Sequence, residues 1–145
     1  MEWSSSVRIE APPPVVWQVM TEVEAWPEWT ASVRSIVRLD PGPLHVGQRL
    51  RISQPRLPTT VWRLTELSEK SEFVWTAGGP GARTTARHRV EPDGTGSRVT
   101  LTLTQRGPLG VLVGKLTNGL TRRYLEMESG GLKKRSEERA AREPG

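Results

Sequence analysis

Polar and apolar side chains alternate near the N-terminus, and this alternation predicts a strand with one buried face. Over residues 2–10, Trp3, Val7 and Ile9 fall on one side and charged or small polar residues on the other. The run Ala11-Pro12-Pro13-Pro14 follows. Because proline cannot donate to a strand ladder but suits the first turn of a helix, the strand is expected to end here and a helix to begin.

Two short helices are predicted next. Apolar residues recur at helical spacing over 15–23, which indicates a short amphipathic helix. Pro27 interrupts the following segment, so residues 24–30 are expected to form a second short helix or a turn. Trp26 and Trp29 lie three residues apart there and would share a face.

From residue 31 onward the pattern is typical of strands, which are predicted over 33–39, 48–53, 59–67, 72–77, 82–91 and 97–106. The last of these carries the clearest period of two, because Val99, Leu101 and Leu103 alternate with threonines. The turn residues 92–96 between the last two strands predict a hairpin.

A helix of ~25 residues is predicted after Gly107-Pro108, on intervals of three and four between apolar residues. The stripe expected to face the sheet comprises Leu109, Leu112, Val113, Leu116, Leu120, Tyr124 and Met127. Gly110, Gly114 and Gly119 each lower helix propensity by ~1 kcal/mol relative to alanine. The helix is therefore expected to pack closely against another element.

This order of elements predicts an α+β fold in which a curved, seven-stranded antiparallel sheet wraps around one long C-terminal helix. A curved sheet and a straight helix diverge over part of their length, so a cavity between them is expected, and concave apolar sites of this kind bind ligands. The chain length predicts a single domain over residues 1–135. Residues 136–145 are expected to form a charged, frayed tail.

Four stretches, in this order, resemble the helix-grip superfamily: IEAPPPVVWQVMTEVEAWPEWTASV (9–33), GPLHVGQRLRI (42–52), VWRLTELSEKSEFVW (61–75) and HRVEPDGTGSRVTLTL (88–103). This is the START-like, birch-pollen-allergen-like group also called SRPBCC, and within it the chain resembles the polyketide cyclase/dehydrase-like bacterial proteins. The resemblance extends over roughly residues 3–135. It implies a helix-grip fold whose cavity holds a lipid, polyketide, hormone or quinone, with catalysis in only some members.

The composition limits which kinds of site the chain can form. The chain has no cysteine and two histidines, which excludes disulfides and thiolate metal sites, so neither a metal nor a cofactor is expected. No apolar run approaches the ~20 residues of a membrane span, and no leader-like segment is visible, so a cytoplasmic location is expected. The net charge is +5. The basic residues of 133–145 indicate a solvated tail. The alternative is that they attach the protein to a membrane surface or, without sequence specificity, to nucleic acid, so no specific nucleic acid is expected as a partner.

His88 is the first candidate for chemistry. If Leu101 faces the helix, the neighbouring strand turns Ala86, His88 and Val90 inward. An inward histidine can bind a ligand or act as a general acid or base, since its ordinary pKa is close to neutrality. The alternative is a histidine satisfied within the core.

Aromatic and polar residues complete the candidate site. Trp17, Trp26, Trp29, Trp62 and Trp75 line an aromatic pocket or fill the core, with Leu101, Leu116 and Leu120 as apolar wall. Tyr124 lies on the inner stripe of the long helix, where its hydroxyl either orients a ligand carbonyl or forms a hydrogen bond between helix and sheet. Arg63 pairs with a ligand carboxylate if it faces inward, or belongs to the basic surface if it faces outward. Glu128, four residues after Tyr124, either shares its helix face or is a solvated glutamate near the helix end, and the second alternative is expected.

These residues support two functions. The first is a binding module for a small hydrophobic or amphipathic molecule such as a lipid, polyketide or quinone. The alternative is a cyclase, aromatase or dehydratase in which His88, with Tyr124 or Arg63, moves protons or polarises a carbonyl. The chain is expected to be a monomer or a homodimer, since an outward Ile36 and exposed edge strands permit self-association.

Overall fold

The computed structural model describes residues 1–143, which form seven strands and two α-helices. The elements are β1 (Glu2–Ile9), α1 (Pro13–Thr21), a 3₁₀ helix (Val23–Glu28), β2 (Ser35–Arg38), β3 (Arg49–Ser53), β4 (Thr60–Ser68), β5 (Glu72–Gly79), β6 (Ala82–Asp93), β7 (Gly96–Arg106) and α2 (Pro108–Arg142). The predicted order of one strand, two short helices, six strands and a long helix is confirmed. Strand and helix boundaries differ by a few residues from those predicted.

The seven strands form one antiparallel sheet in the order β1-β7-β6-β5-β4-β3-β2. The register between β4 and β5 shifts at Leu64/Glu66, and such a bulge bends the strand and increases its twist. Helix α2 packs against β1, β6, β7 and α1. This is the helix-grip arrangement that the sequence predicted.

The core lies between the inner face of the sheet and the three helical segments. Phe73, Leu50 and Leu64 on the sheet are fully buried, as are Val16 and Met20 on α1. The second half of α2 closes onto this core through Leu125 and Leu132, and the hydroxyls of Ser129 and Ser5 hydrogen-bond at 2.8 Å. The first strand and the last helix are therefore held together directly.

The apolar stripe predicted for α2 is wrong in its first half. Leu109, Leu112 and Leu116 are 60%, 54% and 79% exposed, whereas Gly110 and Gly114 are buried. At 100° per residue, the inner face lies about a third of a turn from the predicted stripe. Glycine permits this orientation because a Cβ at Gly114 would lie only 2.9 Å from the ring of Trp3.

Helix α2 is also longer than predicted, with 35 residues that end at Arg142. Residues 136–142, expected to be a frayed tail, are helical; Pro144 and Gly145 lie outside the described residues. Ser136 is fully buried, and Arg139 forms an ion pair with Glu22 at 2.9 Å. Contacts with the first half of the chain therefore order this segment.

The outward position predicted for Ile36 is wrong. Ile36 is 3% exposed, and its neighbour Val37 on β2 faces solvent instead. The strand begins at Ser35 rather than at Val33, and Arg34 before it donates its amide to the Ser53 carbonyl. Ile36 consequently offers no surface for self-association.

Candidate functional site

A cavity of about 280 Å³ separates the inner face of the sheet from the first half of α2. This volume is just below the ~300–1,000 Å³ typical of small-molecule sites. Between Gly110 and Thr121 the residues of α2 that face the sheet most directly are small, Gly110, Gly114, Thr117 and Thr121, so the helix leaves space there. Pro58 and Val113 belong to the lining and are exposed, which places the mouth between the β3–β4 loop and α2.

Six of the ten predicted ligand-binding residues line this cavity: Trp26, Trp62, Trp75, His88, Leu101 and Tyr124. Trp62 alternates with outward residues of β4, and Trp75 follows from the inward period of β5. The rings of Trp26 and Trp75 lie 5.4 Å apart, so they form a continuous aromatic wall. Strand periodicity was the signal that located His88 and Leu101, whereas helical spacing placed Tyr124 on the inner face of α2.

The other four predicted residues lie outside the cavity wall. Trp17 packs edge-on against Phe73 at 6.0 Å, and Trp29 packs behind Trp26 at 5.2 Å. Because the helix is rotated as described above, Leu116 is exposed on the outward side of α2, and Leu120 is half-buried at its flank, outside the cavity lining. These positions follow from helix orientation, which sequence spacing does not determine.

Arg63 faces outward, so its candidate role in the cavity is wrong. Trp62 and Leu64 occupy the inward positions of β4, and the residue between them must point to the other face. The Arg63 guanidinium donates to the Gly47 carbonyl at 3.1 Å on the exposed surface. No ligand in the cavity can therefore pair with it.

His88 is 3% exposed and borders the cavity. Its ring stacks on Phe73 at 4.3 Å, and the edges of Trp26 and Trp75 approach it at 5.6 and 4.9 Å. Burial lowers the pKa of His88 from 6.5 to about 4, although a hydrogen bond with the Phe73 carbonyl opposes this shift. The side chain is therefore neutral at pH 7.

The hydrogen bond of His88 assigns its tautomer. Nδ1 lies 3.3 Å from the Phe73 carbonyl oxygen, which can only accept. Nδ1 therefore carries the proton, and Nε2 is left as an acceptor. The two alternatives that the sequence left open both describe this residue, because one nitrogen is satisfied within the core and the ring also borders the cavity.

For Glu128 the structure supports the alternative that the sequence did not favour. The residue was expected in solvent but is half-buried in the cavity wall. Burial raises the pKa of its carboxyl from 4.5 to about 7, and a hydrogen bond from Ser32 opposes part of the rise. Glu128 follows Tyr124 by four residues, and this spacing is the signal that places both on one helix face.

Two further polar groups define the wall. The Tyr124 hydroxyl donates to the Pro55 carbonyl and so joins α2 to the β3–β4 loop. The side-chain oxygen of Gln105 is buried and has no hydrogen-bond partner among residues 1–143. The cavity thus combines an apolar, aromatic wall with a carboxyl group, an imidazole nitrogen and an amide, which suits a largely apolar molecule that carries a hydroxyl or carbonyl.

Between Met1 and Glu143, no group of three or more histidine, aspartate or glutamate side chains comes together as a metal site. Within the same residues, no helix is both long enough and apolar enough to cross a bilayer.

The fold and its cavity define a helix-grip protein, and comparison with known proteins identifies the family. Residues 2–137 match the family described as polyketide cyclase/dehydrase and lipid transport. The chain belongs to this family. No curated protein sequence is significantly similar to it.

Solved structures from several bacteria share the fold. A protein from Thermus thermophilus is 23% identical with a TM-score of 0.76, covering 99% of this chain and 100% of that one. The Zhui aromatase/cyclase from Streptomyces sp. R1128 is 15% identical with a TM-score of 0.76, covering 96% and 94%. A START superfamily protein from Mycobacterium smegmatis is 17% identical with a TM-score of 0.71, covering 94% and 97%. At these identities the similarity establishes the fold alone.

Proposed function

We propose that this protein binds a small hydrophobic or amphipathic molecule, of the lipid, polyketide or quinone type, between the sheet and α2. The observation that carries the proposal is the open cavity of about 280 Å³ with Trp26, Trp62 and Trp75 in its wall. Burial of an apolar ligand there contributes roughly 25 cal/mol per Å² of apolar surface removed from water. The family description, which includes lipid transport, supports the same assignment.

The polar groups of the cavity select among such molecules. A protonated Glu128 donates a hydrogen bond, whereas the Nε2 atom of neutral His88 accepts one. A ligand carboxylate would meet no arginine or lysine there other than Arg87, whose guanidinium is occupied by Glu72 and Glu66. We therefore propose a neutral ligand with hydroxyl or carbonyl groups.

Native mass spectrometry of the purified protein, followed by denaturing extraction, tests whether a ligand co-purifies. Emptied protein is then titrated with two probes, 2-naphthol and decanoic acid, while tryptophan emission is recorded. We expect quenching, because three tryptophans line the cavity. The neutral aromatic probe should bind more tightly than the anionic fatty acid. No retained mass together with unchanged emission for both probes would contradict the proposal.

Two helix variants form a matched pair for this titration. Thr121→Phe places a ring in the cavity wall and should weaken binding of 2-naphthol by about tenfold or more, since the ligand loses the volume that the ring fills. Glu126→Phe introduces the same side chain at an exposed position on α2 and should change affinity less than about twofold. Equal weakening in both variants would place the probe elsewhere.

A second candidate function, an acid–base enzyme, is favoured by one observation. Two ionisable groups in one cavity have pKa values displaced in opposite directions, Glu128 upward and His88 downward. We propose that an ionised Glu128 takes the proton next to a substrate carbonyl. The same carboxyl would then protonate a departing β-hydroxyl as water, which leaves an enone. His88 Nε2 would accept a hydrogen bond from the substrate.

Turnover of a β-hydroxy ketone tests this candidate. The probe is the adduct of benzaldehyde and acetone, whose dehydration to benzylideneacetone is followed by ultraviolet absorbance. Glu128→Gln should lower turnover by about 100-fold or more, while the affinity for the probe stays within about threefold of that of the unsubstituted protein. Glu126→Gln is the control. If the unsubstituted protein binds the probe but does not dehydrate it, the enzyme candidate is contradicted and only the binding function remains.

A cytoplasmic location, one domain over residues 1–135, and a monomeric or homodimeric state without specific nucleic acid remain predictions from the sequence.

A further inference from the structure

Positive charge concentrates at the end of the molecule that holds the cavity mouth. Residues 41–65, 73–90 and 94–125 contain no aspartate or glutamate. In the fold these segments bring together the β3–β4 loop, the β5–β6 turn, the end of β7 and the first half of α2. None of these elements contributes an acidic side chain to this end, and Glu2, at the start of β1 opposite Thr104, is a carboxylate from another element that lies there.

Six exposed cations at this end have no carboxylate partner within the described part of the chain. We use the name basic rim for the exposed residues Arg56, Arg83, Arg106, Lys115, Arg122 and Arg123. None of them forms an ion pair with any residue of the described range 1–143. Arg83 and Arg106 even lie directly opposite each other across β6 and β7, where like charges repel. Such an arrangement favours an anionic partner.

Large apolar side chains project from the same place. The apolar ridge consists of Leu109, Leu112, Val113 and Leu116 on the outward side of α2, which are 60%, 54%, 43% and 79% exposed. Single exposed apolar residues are ordinary, but four along two turns of one helix form a patch. The patch lies beside the basic rim because the amides of Leu109 and Gly110 donate to the Gly81 carbonyl, two residues before Arg83.

The other end of α2 is different. The sequence suggested the basic C-terminal residues as a possible surface for membrane attachment. Four of the five cations there are paired: Lys133 with Glu137, Arg135 with Glu28, Arg139 with Glu22 and Arg142 with Glu138. Their charge is largely neutralised within the protein, so the unneutralised charge lies at the start of the helix instead.

We propose that the apolar ridge and the basic rim dock this protein onto an anionic lipid bilayer. Helices that lie at a bilayer interface combine leucine-rich apolar faces with flanking lysine and arginine, and anionic lipids attract the cations. The four ridge side chains enter the boundary between headgroups and acyl chains, and the rim contacts the headgroups. Val113 belongs both to the ridge and to the cavity lining, so docking brings the mouth to the lipid surface.

Co-sedimentation of the full chain with pure lipid vesicles tests the docking independently of any cavity ligand. Vesicles of phosphatidylcholine are compared with vesicles in which about a third of the lipid is phosphatidylglycerol. We expect the protein to sediment with the mixed vesicles and to remain in solution with phosphatidylcholine alone. Added salt should weaken the association, because the charge attraction is screened.

Matched variants separate the ridge from general charge effects. Leu116→Glu should lower vesicle partitioning about tenfold, and its exposure leaves the fold intact. Val37→Glu adds the same charge at an exposed position on β2 and should change partitioning less than about twofold. Arg83→Gln with Arg106→Gln should weaken binding several-fold, whereas Lys70→Gln, at an exposed site in the β4–β5 turn at the opposite end of the sheet, should not.

Three results would overturn the proposal. The first is equal sedimentation with both kinds of vesicle, and the second is equal loss in Leu116→Glu and Val37→Glu. The third is absence of vesicle binding together with a dimer in analytical ultracentrifugation that Leu116→Glu dissociates, which would show that a second copy covers the apolar ridge.

Discussion

At the scale of single residues, one physical cause acts on two side chains of opposite charge type. Burial disfavours the charged form of any group, so it raises the pKa of the Glu128 carboxyl to about 7 and lowers that of the His88 imidazole to about 4. Both groups are therefore mainly neutral in mildly acidic solution. The cavity can then accommodate an apolar molecule without leaving an unpaired charge beside it.

These two shifts predict opposite dependences of stability on pH. Between pH 5 and pH 7 native Glu128 retains a proton that the unfolded chain releases, so its contribution to the free energy of unfolding falls as pH rises. Native His88 stays neutral where the unfolded chain binds a proton, so its contribution rises with pH over the same interval. The two effects nearly cancel.

Glu128→Gln should remove the contribution of Glu128 and leave that of His88. We expect the stability of the variant relative to the unsubstituted protein to increase by about 2 kcal/mol between pH 5 and pH 7, as measured by urea unfolding at each pH. Glu126→Gln, at an exposed position two residues away, should follow the unsubstituted protein at both pH values. A constant difference across this interval would mean that Glu128 is solvated.

At the scale of elements, the long helix depends on where its glycines lie. A Cβ at Gly131 would overlap the carbonyl oxygen of Trp29, whereas a Cβ at Gly130 would meet nothing within 4 Å. Gly131 therefore permits close approach of α2 to the 3₁₀-helix region, whereas Gly130 only lowers helix propensity. Adjacent residues of the same type thus have different structural roles.

Alanine substitutions at these two positions should have opposite effects on stability. Gly130→Ala is expected to raise the free energy of unfolding by about 0.5–1 kcal/mol through helix propensity. Gly131→Ala should lower it by about 1–3 kcal/mol, since the helix must move away from Trp29. Urea unfolding of both variants provides the measurement, and stabilisation by both would show that α2 does not approach Trp29 so closely.

The strands were easier to predict than the helix. A strand has a period of two, so one inward residue determines the direction of every other residue in it, as Leu101 did for His88 on the paired strand. In a helix the inner face is decided by which side packs most closely. Gly110 and Gly114, not the leucines beside them, form that side in α2.

At the scale of the whole molecule, the cavity and the charge distribution coincide. The first half of α2 turns small residues inward, which leaves the cavity, and turns leucines outward, which forms the apolar ridge. The same rotation of the helix thus produces both features. Most acidic residues lie elsewhere, and among them Glu72, Glu28 and Glu22 pair with cations of β6 and of the last turns of α2.

The sequence by itself determined the order of elements, the helix-grip fold and most of the aromatic wall, because alternation and turn residues act locally and the ordered motifs span nearly the whole chain. The tertiary structure decided the rotation of α2, the outward position of Arg63 and the burial of Glu128. Each of these depends on which faces of distant segments pack against one another, because a local pattern relates residues within an element but does not say which face turns inward.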